Sequence, residues 1–131
     1  MKKMIETTRA PGAMGPYVQG IDLGKMIFTS GQIPVNPQNG EIPADVADQA
    51  RMSLENVKAI ITAAGLEVGS IVKTTVFITD LNDFATINQV YQQFFDDHHA
   101  TYPTRSCVQV ARLPKDVKLE IEAIAVRGDS L

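Results

Sequence analysis

Between Ala44-Asp45 and Gly65, Val46, Ala50, Ser53, Leu54, Val57, Ile60, Ile61 and Ala64 recur at helical spacing along one side. Asp48, Arg51, Glu55, Asn56 and Lys58 fall largely on the other. Asp45 opens this helix, and Gly65 closes it as a C′ glycine. A helix with one apolar face must lie against something. The only other strong helical period spans residues 84–97, with Phe84, Ile87, Val90 or Tyr91, Phe94 and Phe95 as its stripe. Asp80-Leu81-Asn82-Asp83 supplies its N-cap candidates. Core packing explains both stripes without any chemistry.

Most of what remains reads as strand. Candidates are residues 4–7, 17–23, 25–30, 71–79, 104–110 and 117–126, with a tight connection at Gly24. A loop rich in proline and glycine runs from Arg9 to Pro16, and Asn39-Gly40 signals a turn. Two helices can cover only one face of such a sheet. The expected class is therefore α+β, a single sheet of about six strands with both helices on one face. The uncovered face would carry Ile, Val, Cys and Phe, which predicts a homo-oligomer.

In residues 104–110, Ser106, Val108 and Val110 share one face, and Arg105, Cys107 and Gln109 share the other. In residues 117–126, Leu119, Ile121, Ala123 and Ala125 oppose Glu120, Glu122, Ile124 and Val126. Leu113-Pro114-Lys115-Asp116 connects the two segments. If these strands pair, Arg105 comes near Glu120 on the less apolar face, beside a thiol. That arrangement fits a site for a small anion. It fits a surface ion pair worth roughly 0–1 kcal/mol better, because exposed pairs of this kind are common.

The chain has 131 residues, enough for one domain over 1–131. A net charge of -3 supplies no basic field for nucleic acid. No apolar run approaches the ~18 residues of a membrane span, and the start Met1-Lys2-Lys3-Met4-Ile5-Glu6 lacks the apolar core of a signal peptide. One cysteine excludes an intrachain disulfide and a multi-cysteine metal site. His98-His99 has no matching ligand constellation, so no metal is expected. A cytoplasmic protein is the simplest expectation.

The run Pro103-Thr104-Arg105-Ser106-Cys107-Val108, continuing to Leu119-Glu120-Ile121, resembles the signature of the Rid family of reactive-intermediate deaminases, also called YjgF. Gly15-Pro16-Tyr17, Thr29-Ser30-Gly31-Gln32-Ile33-Pro34, Gln49-Ala50-Arg51 and Asn56-Val57 resemble its other characteristic stretches. The likeness extends from Ile5 to Arg127, and is to the archetypal deaminase branch and its threonine-degradation paralogue. It implies a fold like chorismate mutase of the trimeric type, and a homotrimer with three clefts between subunits. It further implies hydrolysis of 2-enamino and 2-imino acids to 2-keto acids and ammonium, with neither metal nor cofactor.

Site residues follow from the same resemblance. Arg105 would hold the substrate carboxylate in a bidentate fork. Glu120 would position and deprotonate a water, or shuttle its proton to the leaving amine. Tyr17 would line the cleft and bond substrate or water. Ser30 and Gly31 belong to a turn that lets backbone approach the ligand. Cys107 would offer a pocket wall and its backbone N–H, not a thiolate. Asn88 would reach the cleft from the second helix, with Phe84 and Pro114 as apolar walls. The same Arg105 would serve a non-catalytic 2-keto acid or amino acid sensor. A third reading, from relatives described as ribonucleases or translation inhibitors, is opposed by the acidic charge.

Overall fold

A computed structural model describes residues 2–128. Met1 and residues 129–131, the extremes of the expected domain, lie outside the described residues. In chain order the main elements are β1 (Lys3–Ile5), β2 (Gly20–Asp22), β3 (Met26–Thr29), α1 (Val46–Ala63), β4 (Ile71–Ile78), α2 (Phe84–Asp97), β5 (Thr104–Gln109) and β6 (Leu119–Val126). They build one six-stranded sheet in the order β1-β2-β3-β6-β4-β5. This is the expected α+β architecture. The largest departure in length is the candidate strand 17–23, of which only Gly20–Asp22 is strand.

Local chemistry sets the helices. The Asp45 side chain accepts the Asp48 N–H at 3.3 Å and so caps α1. Gly65 ends the helix with φ +82°, a left-handed conformation that costs glycine little. The predicted apolar face of α1 is buried in the core, from Val46 to Ile61. Asn56 is a correction. Its place on the polar side predicted exposure, yet it is 1% exposed and donates to the carbonyls of Ile33 and Val35 at 3.2 and 2.9 Å. It partners the Val35 carbonyl of the loop after β3 and adds a second bond to the Ile33 carbonyl, which also accepts the Val35 N–H at 2.8 Å.

Topology explains why both helices share a face. β6 runs antiparallel to both β3 and β4, so β3 and β4 are parallel, and β4 is parallel to β5. Hence β3-α1-β4 and β4-α2-β5 are two parallel crossovers stepping the same way across the sheet. When both have the usual right hand, both helices land on one face. Ile27, Val76, Ile78, Leu119, Ile121, Ala123 and Ala125 meet them there and form the core.

The second correction concerns pairing. β5 and β6 do not form a hairpin, because β4 lies between them. Arg105 is level with Thr74, and Glu120 with Phe77. Thr74 faces the helices, whereas Phe77 faces away. Arg105 and Glu120 therefore lie on opposite faces of the sheet. The ion pair between them does not form.

Candidate functional site

The predicted site residues fall into two groups. The first surrounds Arg105 on the helix side of the edge strand β5. Its Nη1 donates to Asn88 Oδ1 at 2.6 Å. Its Cζ lies 4.8 Å from the ring centroid of Tyr91 and 5.5 Å from that of Phe84. A cleft of about 350 Å³ opens here, lined by Asn88, Tyr91, Gln92, Tyr102, Pro103 and Arg105. Asn88 is exposed and has a partner that the helical period could not reveal.

Cys107 shares this face, two residues along β5. Burial pushes its thiol pKa up, with the Arg105 charge pulling the other way. The thiol is thus kept protonated, which opposes a nucleophilic thiolate. Its backbone is better placed. Val110 N–H bonds the Ile78 carbonyl at 2.8 Å, so alternation turns the Arg105, Cys107 and Gln109 N–H groups to the open edge of the sheet. A row of free donors beside a guanidinium suits an anion.

Glu120, Gly31 and Ser30 form the second group, to which the loop carrying Tyr17 is bonded through Val18 and Gln19. Phe28 pairs with Ile124, yet Gln32, four residues on, bridges to Ile121, only three residues back. One extra residue is accommodated at this point, the geometry of a β-bulge. Thr29 Oγ1 accepts the Ala123 N–H at 3.0 Å there. Gly31 lies directly against Glu120. A Cβ at position 31 would sit 2.8 Å from Glu120 Cδ, so any larger residue would displace the carboxylate. The Ser30 hydroxyl donates to the Val18 carbonyl at 2.6 Å, and Ser30 N–H to the Gln19 carbonyl at 2.8 Å. These bonds tie the bulge to the loop carrying Tyr17, which is 50% exposed. Its hydroxyl accepts the Met14 N–H at 3.2 Å.

Burial holds the Glu120 carboxyl above the usual carboxylate range, and the Glu122 charge adds to the shift. Burial likewise raises the Tyr91 phenol, against the Thr74 hydrogen bond and the Arg105 charge. Pro114 stands apart from both groups, exposed in the turn that Arg112 and Asp116 brace with contacts of 2.5 and 3.1 Å. His98 is occupied at the end of α2, with Nδ1 2.7 Å from the Phe94 carbonyl oxygen. Among the described residues, no cluster of three or more His, Cys, Asp or Glu could hold a metal.

A family model described as Endoribonuclease L-PSP matches residues 7–127. The chain belongs to that family, the Rid or YjgF family. Two relatives within it cover nearly the whole length. TdcF of Escherichia coli (strain K12), provisionally named a reactive intermediate deaminase, is 84% identical over 98% of this chain and 99% of its own. A 2-iminobutanoate/2-iminopropanoate deaminase of the same organism is 73% identical over 97% of this chain and 99% of its own. A crystal structure of E. coli TdcF with bound serine superposes with a TM-score of 0.95 at 84% identity, covering 95% of this chain and 98% of that one. Within this Rid family member, Tyr91 and Thr74 are among the polar residues at the site that sequence reasoning missed. An amphipathic stripe shows an aromatic only as core, and neither residue carries a motif of its own.

Proposed function

We propose that this Rid protein hydrolyses small 2-imino acids and their enamine tautomers to 2-keto acids and ammonium, at clefts completed by a second copy of the chain. The placement of Arg105 and Glu120 on opposite sheet faces carries this reading, because no single chain can bring both to one substrate. Within a homotrimer, the group around Arg105 from one chain would face the group around Glu120 from its neighbour, giving three clefts. The face turned away from the helices supports such assembly, with Met4 64%, Val108 45% and Phe28 36% exposed. Similarity to the named deaminase of E. coli supports 2-iminobutanoate and 2-iminopropanoate as substrates.

The chemistry follows from the groups present. Arg105, its Nη1 side braced by Asn88, offers its remaining N–H groups to the substrate carboxylate, and the edge N–H of Cys107 adds a donor. Glu120 from the adjoining copy takes a proton from water as the water oxygen bonds to the imine carbon. The C=N electron pair moves onto nitrogen, which takes up a proton. The carbinolamine then collapses to the ketone. Its hydroxyl proton returns through Glu120, and the C–N pair leaves with ammonia, which is protonated in water. Tyr17, Ser30 and Gly31 wall the Glu120 side. An imine is reactive enough that no covalent enzyme intermediate is required.

No helix among the described residues is long and apolar enough to cross a membrane. A cytoplasmic location is part of the proposal.

The test is a coupled assay. A threonine dehydratase generates the imine, semicarbazide competes for it, and keto acid release is followed. Wild type should outcompete the trap. Arg105→Ala should raise KM about 10–100-fold, the loss of a charge-assisted contact, with fold and assembly intact. An unfolded or monomeric Arg105→Ala protein would make Arg105 a structural residue instead. Wild type that fails to hydrolyse the imine would sink the proposal.

A pH prediction follows from Glu120 and Glu122. Glu120 must be ionised to act as base, so kcat falls as pH drops through its pKa. Like charge from Glu122 raises that pKa. Glu122→Gln should therefore move the acid limb of the kcat profile to lower pH. An unmoved or raised limb would remove the coupling.

A second reading is favoured by the serine in the TdcF crystal structure. The same cleft would then sense an amino acid or 2-keto acid without turning it over.

A further inference from the structure

We propose that Tyr91, held by Thr74, is the positioning residue that fixes the plane of the Arg105 guanidinium. The inference deepens the reading of Arg105 as the carboxylate-binding group, and rests on it. Arg105 springs from an edge strand and is only half-buried. A free arginine there would sample many rotamers, and ordering it on ligand binding would weaken affinity. Asn88 holds one nitrogen, but a single bond leaves the guanidinium free to swivel about it. Phe84 offers a more distant ring at the first turn of α2.

Tyr91 is anchored far more firmly. It is 6% exposed, and its ring packs 4.9 Å from the Phe95 centroid. Its hydroxyl shares a 2.6 Å hydrogen bond with Thr74 Oγ1. Thr74 is itself 1% exposed and is the ladder partner of Arg105. The backbone residue opposite Arg105 thus fixes the ring that lies under Arg105's own side chain. This closed arrangement spans β4, α2 and β5.

Packing alone does not explain a buried polar pair here. Phenylalanine and valine would fill similar volume with nothing to satisfy. The pair locks the ring, and the ring face attracts the cation. Apart from the bond to Asn88, the guanidinium N–H groups have no hydrogen-bond partner among the described residues. They remain available for a carboxylate in a direction set by the platform.

Tyr91→Leu, Tyr91→Phe and Thr74→Val test this in the full oligomer. Readouts are the Kd for 2-ketobutyrate by calorimetry, and KM and kcat for imine hydrolysis. Tyr91→Leu should raise Kd and KM together by about 3–30-fold, the range of a partly desolvated cation–π contact. Tyr91→Phe and Thr74→Val, which keep the core filled, should each raise both by about 2–5-fold. In all three kcat should stay within about two-fold, since uniform binding is what is lost. In an Arg105→Ala background the Tyr91 effect should largely vanish, because no cation is left over the ring. Kd unchanged in a folded Tyr91→Leu oligomer, or an equal loss in both backgrounds, would overturn the inference. Should Tyr91→Leu not fold, the two conservative variants decide in the same way. Wild type that neither binds 2-ketobutyrate nor hydrolyses the imine overturns the reading of Arg105, and this inference with it. Wild-type binding that ignores Tyr91 and Thr74 overturns the inference alone.

Discussion

Glu120→Gln should lower kcat for imine hydrolysis by about 10²–10⁴-fold, the usual contribution of general acid–base catalysis. Affinity for 2-ketobutyrate should stay within about three-fold, because the carboxylate contacts belong to Arg105 and not to Glu120. Glutamine has the same length and shape, so the space left open by Gly31 still accepts it. It also leaves the ladders of β6 with β3 and β4 untouched, since those use backbone groups. What it cannot do is take a proton from water. Steady-state kinetics in the coupled assay and calorimetry on the same preparation measure the two quantities. Normal kcat would remove Glu120 from the chemistry. A wild type that binds well but does not turn over, matched by Glu120→Gln, would establish the sensor reading instead.

Co-assembly of Arg105→Ala and Glu120→Gln chains should restore activity that neither has alone. Each cleft needs Arg105 from one copy and Glu120 from its neighbour. With equal amounts mixed at random, one ordered pairing in four is wild type at both positions, so about a quarter of the sites should recover. That fraction does not depend on how many copies close the ring. Substrate should be kept far below the wild-type KM, where both parent proteins are nearly silent. Differently tagged chains, co-expressed and purified through both tags, leave only mixed rings, and in a trimer the recovered share then rises to about a third of the sites. Mixed oligomers with no recovery would mean that both residues serve a site within one chain. The opposite sheet faces allow that only if the sheet itself rearranges, so the two-copy site would be lost.

Much of the fold was readable from side-chain periodicity. The face of α1 from Val46 to Ile61 and the stripe of α2 from Ile87 to Phe95 are the ones buried. Strand candidates near 71–79, 104–110 and 117–126 came within two residues of β4, β5 and β6. Asn56 misled because a helical wheel records polarity and not partners. It is buried with its amide bonded to two loop carbonyls. Tyr91 misled in the other direction. It behaves as a core aromatic in the sequence, and only the approach of β5 puts a cation over its ring.

Motif resemblance identified Arg105, Glu120, Tyr17, Ser30, Gly31, Cys107 and Asn88 as candidates, but it could not say which of them share a space. The structure joins Asn88, Cys107 and Arg105 on one face, and Gly31 and Ser30 with Glu120 at the bulge beside β6. The expected closeness of Arg105 and Glu120 rested on sequential strands forming a hairpin. Nine residues connect β5 to β6, enough to pass over one strand. β6 takes the place between β3 and β4, where Leu119, Ile121, Ala123 and Ala125 are all nearly or fully buried.

The sequence by itself determined the element types, the buried side of each helix and the alternation along each strand. These depend on the 3.6- and 2-residue periods of the backbone, which a chain carries locally. Only the tertiary structure decided which strands are neighbours, and hence which face of the sheet each alternating set occupies. Ladder hydrogen bonds join backbone groups that every residue possesses, so they are nearly blind to sequence. Inserting one strand between two others leaves each strand's own pattern unchanged. That insertion nevertheless carried Arg105 and Glu120 to opposite sides of the sheet.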